Sequence, residues 1–371
     1  MRLRVGITGQ SGFIGQHLIR LLREKKEEIE IIPFEKAFFE NSDLLDSFVK
    51  KCDVIVHLAA MNRGDETTLY ETNKLLTTRL VASLEQTNSK PRIIYSSSIQ
   101  EEKNNPYGLS KKESGKIISL WAAKTQASFV SLVIPNVFGP FCKPFYNSVV
   151  STFCYQLTHE QECRVECDAS IKLIYVEKLV EIIFQQIKAE NVSPRVLVEC
   201  DAERKVSEIL AQLLRFKDEY VIRGIVPDLP TQFDVALFNT FRSYLEPNFF
   251  PVKYSVNADS RGALIELIKE RIGGQVFYSV TRPDAIRGNH YHKRKIERFS
   301  VISGEAMIKL RRVGSPEVIA HQVDGTNPCY IDMPVYYTHN LANIGKTDLL
   351  TIFWTNEIFD KDNSDTFYEE V

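Results

Sequence analysis

A glycine-rich loop between a strand and a helix constrains the fold of this chain more than any other feature. Residues 3–8 read Leu-Arg-Val-Gly-Ile-Thr, which is typical of a buried strand. Gly9, Gly12 and Gly15 follow at once, and apolar residues then recur at helical spacing over 17–26. In this context glycines let the backbone approach a pyrophosphate, which binds at the helix N-terminus. The pattern therefore predicts a dinucleotide-binding βαβ unit.

Strand-like and helical segments alternate over residues 1–140. This alternation predicts a doubly wound α/β domain, Rossmann-like, with a parallel sheet. Further strands are predicted at 29–33, 53–60, 92–98 and 129–134. Such sheets bind ligands at the carboxyl ends of their strands. We therefore expect the residues that follow these strands to line one site.

Tyr107 and Lys111 are the candidate reaction centre, and the run Ser96-Ser97-Ser98 precedes them. On a helix the two side chains lie one turn apart on the same face. A tyrosine can exchange a proton with a carbinol oxygen, and we expect the neighbouring ammonium to lower its pKa. This chemistry interconverts a ketone and an alcohol. The pair alone is a weak signal, because many helices carry Tyr-x-x-x-Lys by chance, and the alternative is the start of a surface helix.

The second strand leaves the choice between NAD and NADP open. An acidic residue at its end would bind a ribose 2′-hydroxyl, whereas a basic residue would favour a 2′-phosphate. Glu35 and Lys36 both follow this strand and favour opposite cofactors. Beyond the first 140 residues, Lys143 and Asn147 are candidate contacts for a diphosphate in a substrate lobe, whereas Arg242 is better explained as a solvated surface charge.

The pattern changes near residue 246, where helical spacing gives way to short strands and turns. These strands are predicted at 253–256, 275–281, 306–311, 318–323, 329–332 and 348–354. Short strands with frequent turns are typical of an all-β barrel or jelly roll. We therefore predict two domains, residues 1–245 and 246–371, as a chain of 371 residues also suggests. Asp228 to Phe233 is expected to be a linker or the end of the first lobe.

A candidate metal site lies in the second domain, at His290, His292, Glu297 and His339. His-x-His on a strand places both imidazoles on one face, because side chains alternate. Three nitrogens and one carboxylate suit zinc, and iron, manganese and nickel accept the same ligands. The alternative is a domain whose histidines only pack or form hydrogen bonds.

Composition argues against several other classes of protein. The net charge of −2 gives no electrostatic reason to expect nucleic acid or an anionic membrane as a partner. The chain has 44% hydrophobic and 25% charged residues, as ordinary globular proteins do. Its seven cysteines are odd in number and scattered, which indicates reduced thiols. With neither a signal peptide nor an apolar run of ~20 residues, we expect a cytoplasmic protein.

The first domain resembles the extended short-chain dehydrogenase/reductases that act on nucleotide sugars. The resemblance rests on Thr8 with the glycine loop, His57-Leu-Ala-Ala60, Asn73, Ser96 to Ser98, Tyr107 with Lys111, and Asn136-Val-Phe-Gly-Pro140. It implies that Tyr107 is the general acid/base. It also implies that Lys111 binds the ribose of the cofactor and adjusts the pKa of Tyr107. It also implies that Ser98 orients the substrate, with Ser97 as the alternative.

The same resemblance implies which residues bind the cofactor and the substrate. Cofactor contacts are expected from Thr8, Gly9, Gly12, Phe13, Ile14, Gly15, Leu58, Ala59, Asn73 and Lys111. Asn136 is an expected substrate contact. Dehydratases of this family usually carry Thr-Asp-Glu where this chain has Ser98-Ile-Gln100, which argues against a 4,6-dehydratase.

The second domain matches the two cupin motifs His-x-His-x4-Glu-x6-Gly and Pro-x-Gly-x2-His-x3-Asn, except that Tyr336 stands at the glycine of the second motif. Asp259-Ser-Arg261-Gly262 is similar to a motif of cupin-type 3,5-epimerases, which makes Arg261 a candidate substrate contact. An ion pair between Arg261 and Asp259 is the alternative. As a whole, the chain resembles the bifunctional CapF-type enzymes of bacterial capsular polysaccharide synthesis.

That resemblance implies a homodimer that uses NADPH, zinc and a UDP-activated deoxy-amino sugar. The cupin domain would epimerise C3 of a UDP-2-acetamido-2,6-dideoxy-L-4-hexulose. The first domain would then reduce the C4 ketone to UDP-2-acetamido-2,6-dideoxy-L-talose, on the route to UDP-N-acetyl-L-fucosamine. Two alternatives remain, a single-function epimerase or reductase with a structural cupin, and a non-catalytic dinucleotide-sensing protein.

Overall fold

The structure, a computed structural model, describes residues 2–254, 256–259, 262–265, 267–269, 273–357 and 359–371. Contacts within the chain divide it into two compact units. Unit 1 comprises Met1–Thr152 and Val165–Val206, and unit 2 comprises Phe153–Arg164 and Ser207–Val371. The expected domain boundary at residue 245 stays a prediction.

Unit 1 is built on a parallel sheet with helices between its strands. The strands up to residue 205 are β1 (Leu3–Thr8), β2 (Ile29–Ile32), β3 (Val54–His57), β4 (Arg92–Ser98), β5 (Phe129–Ile134), β6 (Asn136–Phe138), β7 (Ser170–Tyr175), β8 (Arg195–Leu197) and β9 (Ala202–Lys205). Six of them form a sheet in the order β2-β1-β3-β4-β5-β8, and every pair in it is parallel. A smaller sheet has the order β6-β7-β9. The predicted α/β fold class is confirmed.

The helices follow the strands closely. They are α1 (Phe13–Glu24), α2 (Ser42–Lys51), α3 (Glu66–Thr87), α4 (Pro106–Thr125), α5 (Val149–Thr158), α6 (Val176–Lys188), α7 (Val206–Phe216) and α8 (Gln232–Arg242). Short 3-10 helices occur at Lys36–Glu40, Ile99–Glu102 and Pro247–Phe249, and a π-helix at Lys217–Ile222. No helix in the described ranges is long and apolar enough to cross a membrane.

The strand order of the large sheet explains where a ligand can bind. Its strands are apolar on both faces, and Val5, Ile7, Val56 and Ile94 are fully buried between the helices. From β1 the chain first runs to β2 on one side and later to β3 on the other side. This reversal opens a crevice at the carboxyl ends of β1 and β3.

Unit 2 contains antiparallel strands at the positions that the sequence predicts and further strands that it does not predict. They are β10 (Val252–Lys253), β11 (Val256–Asp259), β12 (Gly262–Ile265), β13 (Gln275–Thr281), β14 (Ile286–Tyr291), β15 (Glu297–Ser303), β16 (Glu305–Arg312), β17 (Val318–Asp324), β18 (Cys329–Met333), β19 (Tyr337–Asn343), β20 (Leu349–Thr355) and β21 (Phe367–Tyr368). Two five-stranded sheets have the orders β10-β18-β15-β20-β13 and β17-β16-β19-β14-β21, and β11 pairs with β12. Phe299, Ile308, Ile331 and Leu341 contribute to the buried core of this jelly roll.

Two expectations about residues 228–242 are wrong. The expected linker contains the start of α8, where Thr231 and Asp234 form a capping box. Arg242, expected at the surface, is buried, and its Nη2 donates a hydrogen bond of 3.1 Å to the carbonyl oxygen of Met333. Helix α8 thus packs against the strands of unit 2, which removes its inner face from solvent.

Candidate functional site

The glycine loop lies at the crevice between β1 and β3. Gly9 has a φ of +77°, and a Cβ at this position would lie 2.8 Å from the amide nitrogen of Ala59. A Cβ at Gly15 would lie 2.4 Å from the carbonyl oxygen of Gly9. Helix α1 begins after Gly12 with no side-chain cap and no acidic residue in its first turn. Its first N–H groups and its dipole therefore suit a phosphate group.

A cavity of about 1020 Å³ extends from the glycine loop across the ends of the strands. Its size is at the upper end of the roughly 300–1,000 Å³ of common ligand sites, as expected for a dinucleotide beside a second ligand. Predicted site residues that line it are Gly9, Gly12, Phe13, Ile14, Gly15, Leu58, Ala59, Ser98, Tyr107, Lys111, Asn136, Lys143 and Asn147. The structure therefore brings most of the predicted cofactor, catalytic and substrate residues of unit 1 together.

Thr8 and Asn73, also expected to contact the cofactor, lie behind the cavity wall. The Oγ1 atom of Thr8 lies 2.7 Å from Nδ1 of His57. The Asn73 side chain accepts a hydrogen bond of 2.6 Å from the Met61 nitrogen and donates one of 3.0 Å to the Met61 oxygen. Both side chains are buried. Asn73 therefore acts by holding Met61, which lines the cavity.

The pKa values of Tyr107 and Lys111 are shifted in opposite directions. Lys111 is buried, and its Nζ donates a hydrogen bond of 2.7 Å to the carbonyl oxygen of Ser96. Burial lowers the pKa of Lys111 to about 8 and raises the pKa of Tyr107 to about 12. The expected lowering of the tyrosine pKa is wrong, because burial disfavours the phenolate and Nζ lies 5.8 Å from the centre of the ring. At neutral pH the phenol is protonated, as a general acid must be.

The three consecutive serines differ in the bonds that their hydroxyl groups make. Ser96 donates to a main-chain carbonyl oxygen, and Ser97 donates to the carboxylate of Glu101. The Ser98 hydroxyl accepts a hydrogen bond of 3.2 Å from the Gln100 nitrogen. Within the described residues its own hydrogen has no acceptor, and Ser98 lines the cavity. Of the three hydroxyl groups, that of Ser98 is therefore available to a substrate oxygen.

Residues of the segment 142–147 line another part of the cavity. Lys143 lies here with its Nζ 5.7 Å from the centre of the Tyr146 ring, and Tyr146 also lines the cavity. Arg63 donates a hydrogen bond to the carbonyl oxygen of Phe145 and so holds this irregular segment. Sequence reasoning missed Tyr146, because an irregular loop gives no periodic signal. Arg261 lies outside the described residues.

The end of β2 also borders the cavity. Glu35 and Lys36 both line it, together with Gln10 of the glycine loop. Gln10 donates a hydrogen bond to the carbonyl oxygen of Phe34, which ties the loop to this strand end. A carboxylate and an ammonium thus both border the place where the 2′-group of a cofactor would lie.

The predicted metal ligands in unit 2 converge on one point. His290 lies on β14, His292 follows its end, Glu297 begins β15, and His339 lies on β19. One ligand atom from each residue lies within 4.8 Å of all the others. Burial lowers the pKa of His290 to about 4, so its imidazole is neutral and able to bind a cation.

Hydrogen bonds at the far side of two imidazoles test whether this cluster fits a metal ion. Nδ1 of His292 lies 2.6 Å from the carbonyl oxygen of Asp365, and Nδ1 of His339 lies 3.2 Å from that of Tyr337. A carbonyl oxygen only accepts, so each Nδ1 carries the hydrogen and each Nε2 of a neutral ring presents a lone pair. These Nε2 atoms lie 3.1 and 3.3 Å from Oε2 of Glu297. Lone pairs facing a carboxylate at this distance fit a cation bound between them.

Both the N-terminal and the C-terminal part of the chain match known protein families. Residues 5–198 match the NAD dependent epimerase/dehydratase family, and residues 257–367 match the polysaccharide biosynthesis C-terminal domain. The chain is 29% identical over 371 residues to the UDP-2-acetamido-2,6-beta-L-arabino-hexul-4-ose reductase of Pseudomonas aeruginosa, with 98% of each protein covered.

The chain is also similar to solved structures. The crystal structure of the capsular polysaccharide assembling protein CapF from Staphylococcus aureus is 34% identical, with a TM-score of 0.65 and 100% of both chains covered. The structure of RMD from Pseudomonas aeruginosa complexed with NADPH is 19% identical and shares the fold alone, with a TM-score of 0.52 over 58% of this chain and 82% of that chain. This chain therefore belongs to the NAD dependent epimerase/dehydratase family and, with its C-terminal domain, to the CapF type within it.

Proposed function

We propose that the chain is a bifunctional nucleotide-sugar enzyme. In this proposal unit 2 binds zinc and epimerises C3 of a UDP-2-acetamido-2,6-dideoxy-L-4-hexulose. Unit 1 then reduces the C4 ketone with NADPH and yields UDP-2-acetamido-2,6-dideoxy-L-talose, a step towards UDP-N-acetyl-L-fucosamine and capsular polysaccharide. The observation that carries the proposal is that the glycine loop, a protonated Tyr107, the buried Lys111 and the available hydroxyl of Ser98 all line the same cavity.

The side chains of unit 1 have separate roles in the reduction. The bound NADPH supplies the hydride. Ser98 donates a hydrogen bond to the C4 oxygen and orients the ketone, and Tyr107 gives its phenolic proton to the same oxygen. Lys111 stabilises the phenolate that remains, because its ammonium lies 5.8 Å from the centre of the Tyr107 ring. Asn136, Lys143 and Asn147 would contact the sugar and its diphosphate.

The cupin site supports the epimerisation half of the proposal. A 4-keto group acidifies the proton on C3, and a cation held by this site would supply positive charge that stabilises an enolate. The four side chains that would hold this cation are His290, His292, Glu297 and His339. Histidines that bind a metal have no lone pair left for the C3 proton. The base is therefore a residue other than these three histidines.

The test is to mix the purified protein with NADPH and the UDP-4-keto-6-deoxy sugar, and to follow NADPH absorbance and the configuration at C3 by NMR. The wild type should oxidise NADPH and give a C3-inverted product. Tyr107→Phe should lower the rate of NADPH oxidation by about 10²–10⁴-fold without weakening cofactor binding. Tyr70→Phe is the matched control, because its hydroxyl group donates to Glu113, away from the cavity. His339→Ala should abolish inversion and preserve reduction.

Each other outcome points to one of the alternatives. Reduction without inversion in the wild type would make the cupin a structural part of a single-function reductase. An unchanged rate in Tyr107→Phe would refute the assigned acid, and the absence of any turnover would favour a dinucleotide-sensing protein. Equal rates with NADH would overturn the preference for NADPH. A cytoplasmic location, a homodimer, and the absence of nucleic-acid and membrane partners stay predictions from the sequence.

A further inference from the structure

Asp365 contacts both ends of the short turn that follows the metal ligand His292. Its carbonyl oxygen accepts the hydrogen of His292 Nδ1 at 2.6 Å. Its carboxylate accepts hydrogen bonds from the main-chain nitrogens of Lys293, Arg294 and Lys295, at 3.2, 2.9 and 2.8 Å. Asp365 is buried and has a left-handed backbone, with a φ of +47°. One residue thus fixes both the imidazole and the turn that leads to Glu297.

The residues that follow Asp365 hold two of the strands that carry metal ligands. Strand β21 pairs with β14, and Tyr368 lies opposite His290. The Glu369 nitrogen donates a hydrogen bond of 3.0 Å to the Asn289 oxygen. Thr338, the neighbour of a ligand on β19, donates a hydrogen bond to the Glu369 oxygen. We call residues 365–369 the C-terminal clamp, because they bind β14, β19 and the turn between two ligands.

We infer that Asp365 is a positioning residue of the metal site and that it sets the affinity of the site for a divalent cation. The inference rests on the metal site proposed above. The carbonyl oxygen keeps the hydrogen of His292 on Nδ1, so Nε2 offers its lone pair to the metal. The carboxylate binds three N–H groups through charge-assisted hydrogen bonds, which keep the turn from opening. Arg294 places its Nη1 4.0 Å from the same carboxylate and balances the buried charge.

Two substitutions separate the carboxylate from the rest of the clamp. Asp365→Ala removes the acceptor of the three N–H groups, while Asp365→Asn keeps the shape and one side-chain oxygen. Asp360→Ala is the matched control, because Asp360 is exposed and, among the residues that the structure describes, its carboxylate accepts a hydrogen bond only from the Asp362 nitrogen. His339→Ala serves as the reference for the loss of a ligand. All variants are full-length chains, and their circular dichroism spectra and cooperative thermal unfolding report whether they are folded.

The experiment measures zinc affinity by competition with a chromophoric chelator, and the ligand-field absorption of the cobalt(II)-substituted protein. Asp365→Ala should bind zinc about 10–100-fold more weakly, as removal of other outer-shell partners does, and Asp365→Asn should lie between it and the wild type. The cobalt bands of both variants should shift, because the His292 ring is less well held. Asp360→Ala should match the wild type in affinity and in spectrum.

The outcomes distinguish this inference from the proposed function. If Asp365→Ala and Asp365→Asn bind zinc as tightly as the wild type with unchanged cobalt bands, the inference is overturned and the metal site stands. A lower melting temperature alone would make Asp365 a stabiliser of the fold, which also overturns the inference. If the wild type binds no zinc and no cobalt, the metal site and the inference fail together. If Asp365→Ala does not fold, the zinc affinity and cobalt bands of Asp365→Asn, which keeps the shape of the side chain, decide between these outcomes.

Discussion

Replacing Lys111 by methionine should stabilise unit 1 while it removes the reductase activity. The lysine side chain is only 4% exposed, and its ammonium group donates to the carbonyl oxygen of Ser96 at 2.7 Å. Burial lowers its pKa from 10.5 to about 8, which means that the folded protein disfavours the charged form. In the proposed mechanism, this destabilising charge is kept because catalysis would require it, and NADPH oxidation should fall by at least about 10²-fold in the variant.

The size of the effect follows from the pKa. A fall from 10.5 to about 8 corresponds to about 3 kcal/mol of destabilisation at neutral pH. Methionine also leaves the Ser96 carbonyl oxygen without this donor, which costs about 1 kcal/mol. The variant should therefore be more stable by about 2 kcal/mol at pH 7. Between about pH 8 and 10.5 the unfolded wild type keeps a proton that the folded form has lost, so wild-type stability rises with pH and the advantage of the variant disappears.

The assay is thermal unfolding of both proteins between pH 7 and 10.5, following the transition that NADPH raises, since this transition belongs to unit 1. About 2 kcal/mol should raise its midpoint by about 4–8 °C at pH 7 for a domain of this size. Lys112→Met is the control, because the next residue of α4 is exposed and should change stability by less than about 0.5 kcal/mol. A Lys111→Met midpoint that is unchanged or lower at pH 7, or a difference that does not shrink towards pH 10.5, would refute the reasoning.

Three further predictions concern the pH profile, the glycine loop and a buried ion pair. Because Lys111 loses its proton near pH 8, initial rates of NADPH oxidation should fall about tenfold per pH unit above that pH. Gly15→Ala should weaken NADPH binding at least about tenfold in fluorescence titrations, since its Cβ would lie 2.4 Å from the Gly9 oxygen. Asp332→Asn should destabilise unit 2 by about 3–5 kcal/mol in thermal unfolding. It removes the negative charge and one of the two oxygens that accept hydrogen bonds of 2.7 and 3.0 Å from Arg298, which is 2% exposed.

Matched controls exist for these predictions too. A Cβ at Gly273 would meet no atom within 4 Å, so Gly273→Ala should bind NADPH normally. Glu85 pairs with Lys124 at 3.0 Å on the surface, and Glu85→Gln should cost at most about 1 kcal/mol. A rate that stays level from pH 8 to 10 would contradict the first prediction. The second prediction would be contradicted if Gly15→Ala and Gly273→Ala lost the same NADPH affinity. The third would be contradicted if Asp332→Asn and Glu85→Gln lost the same stability.

Much of the fold could be predicted because the buried strands carry a local signal. The strand expected at 92–98 is Arg92–Ser98 in the structure, and the one expected at 129–134 is Phe129–Ile134. Helix α8 was missed although its capping box is visible in the sequence, because Pro and Thr at 230–231 also resemble a loop. Its contacts with unit 2 could not be predicted, since they are distant in sequence.

The candidate site was predictable where chemistry follows from spacing. The glycine loop and the pair of Tyr107 and Lys111 each form a short pattern. The candidate metal ligands belong to two such patterns. The structure places the members of each set together. Burial is not visible in a sequence, so the direction of the tyrosine pKa was wrong. Asp365 gives no signal either, because it lies 73 residues from His292 and contacts it through the main chain.

The C-terminal clamp follows all four candidate metal ligands in the sequence, so a ribosome makes the ligands before it makes the clamp. All four metal ligands leave the exit tunnel before Asp365, which follows His292 by 73 residues. Until then the His292 ring has no partner from the clamp, and the nascent site should exchange metal ions quickly. On the proposal above, the site would reach its full affinity for a cation only once the clamp has formed.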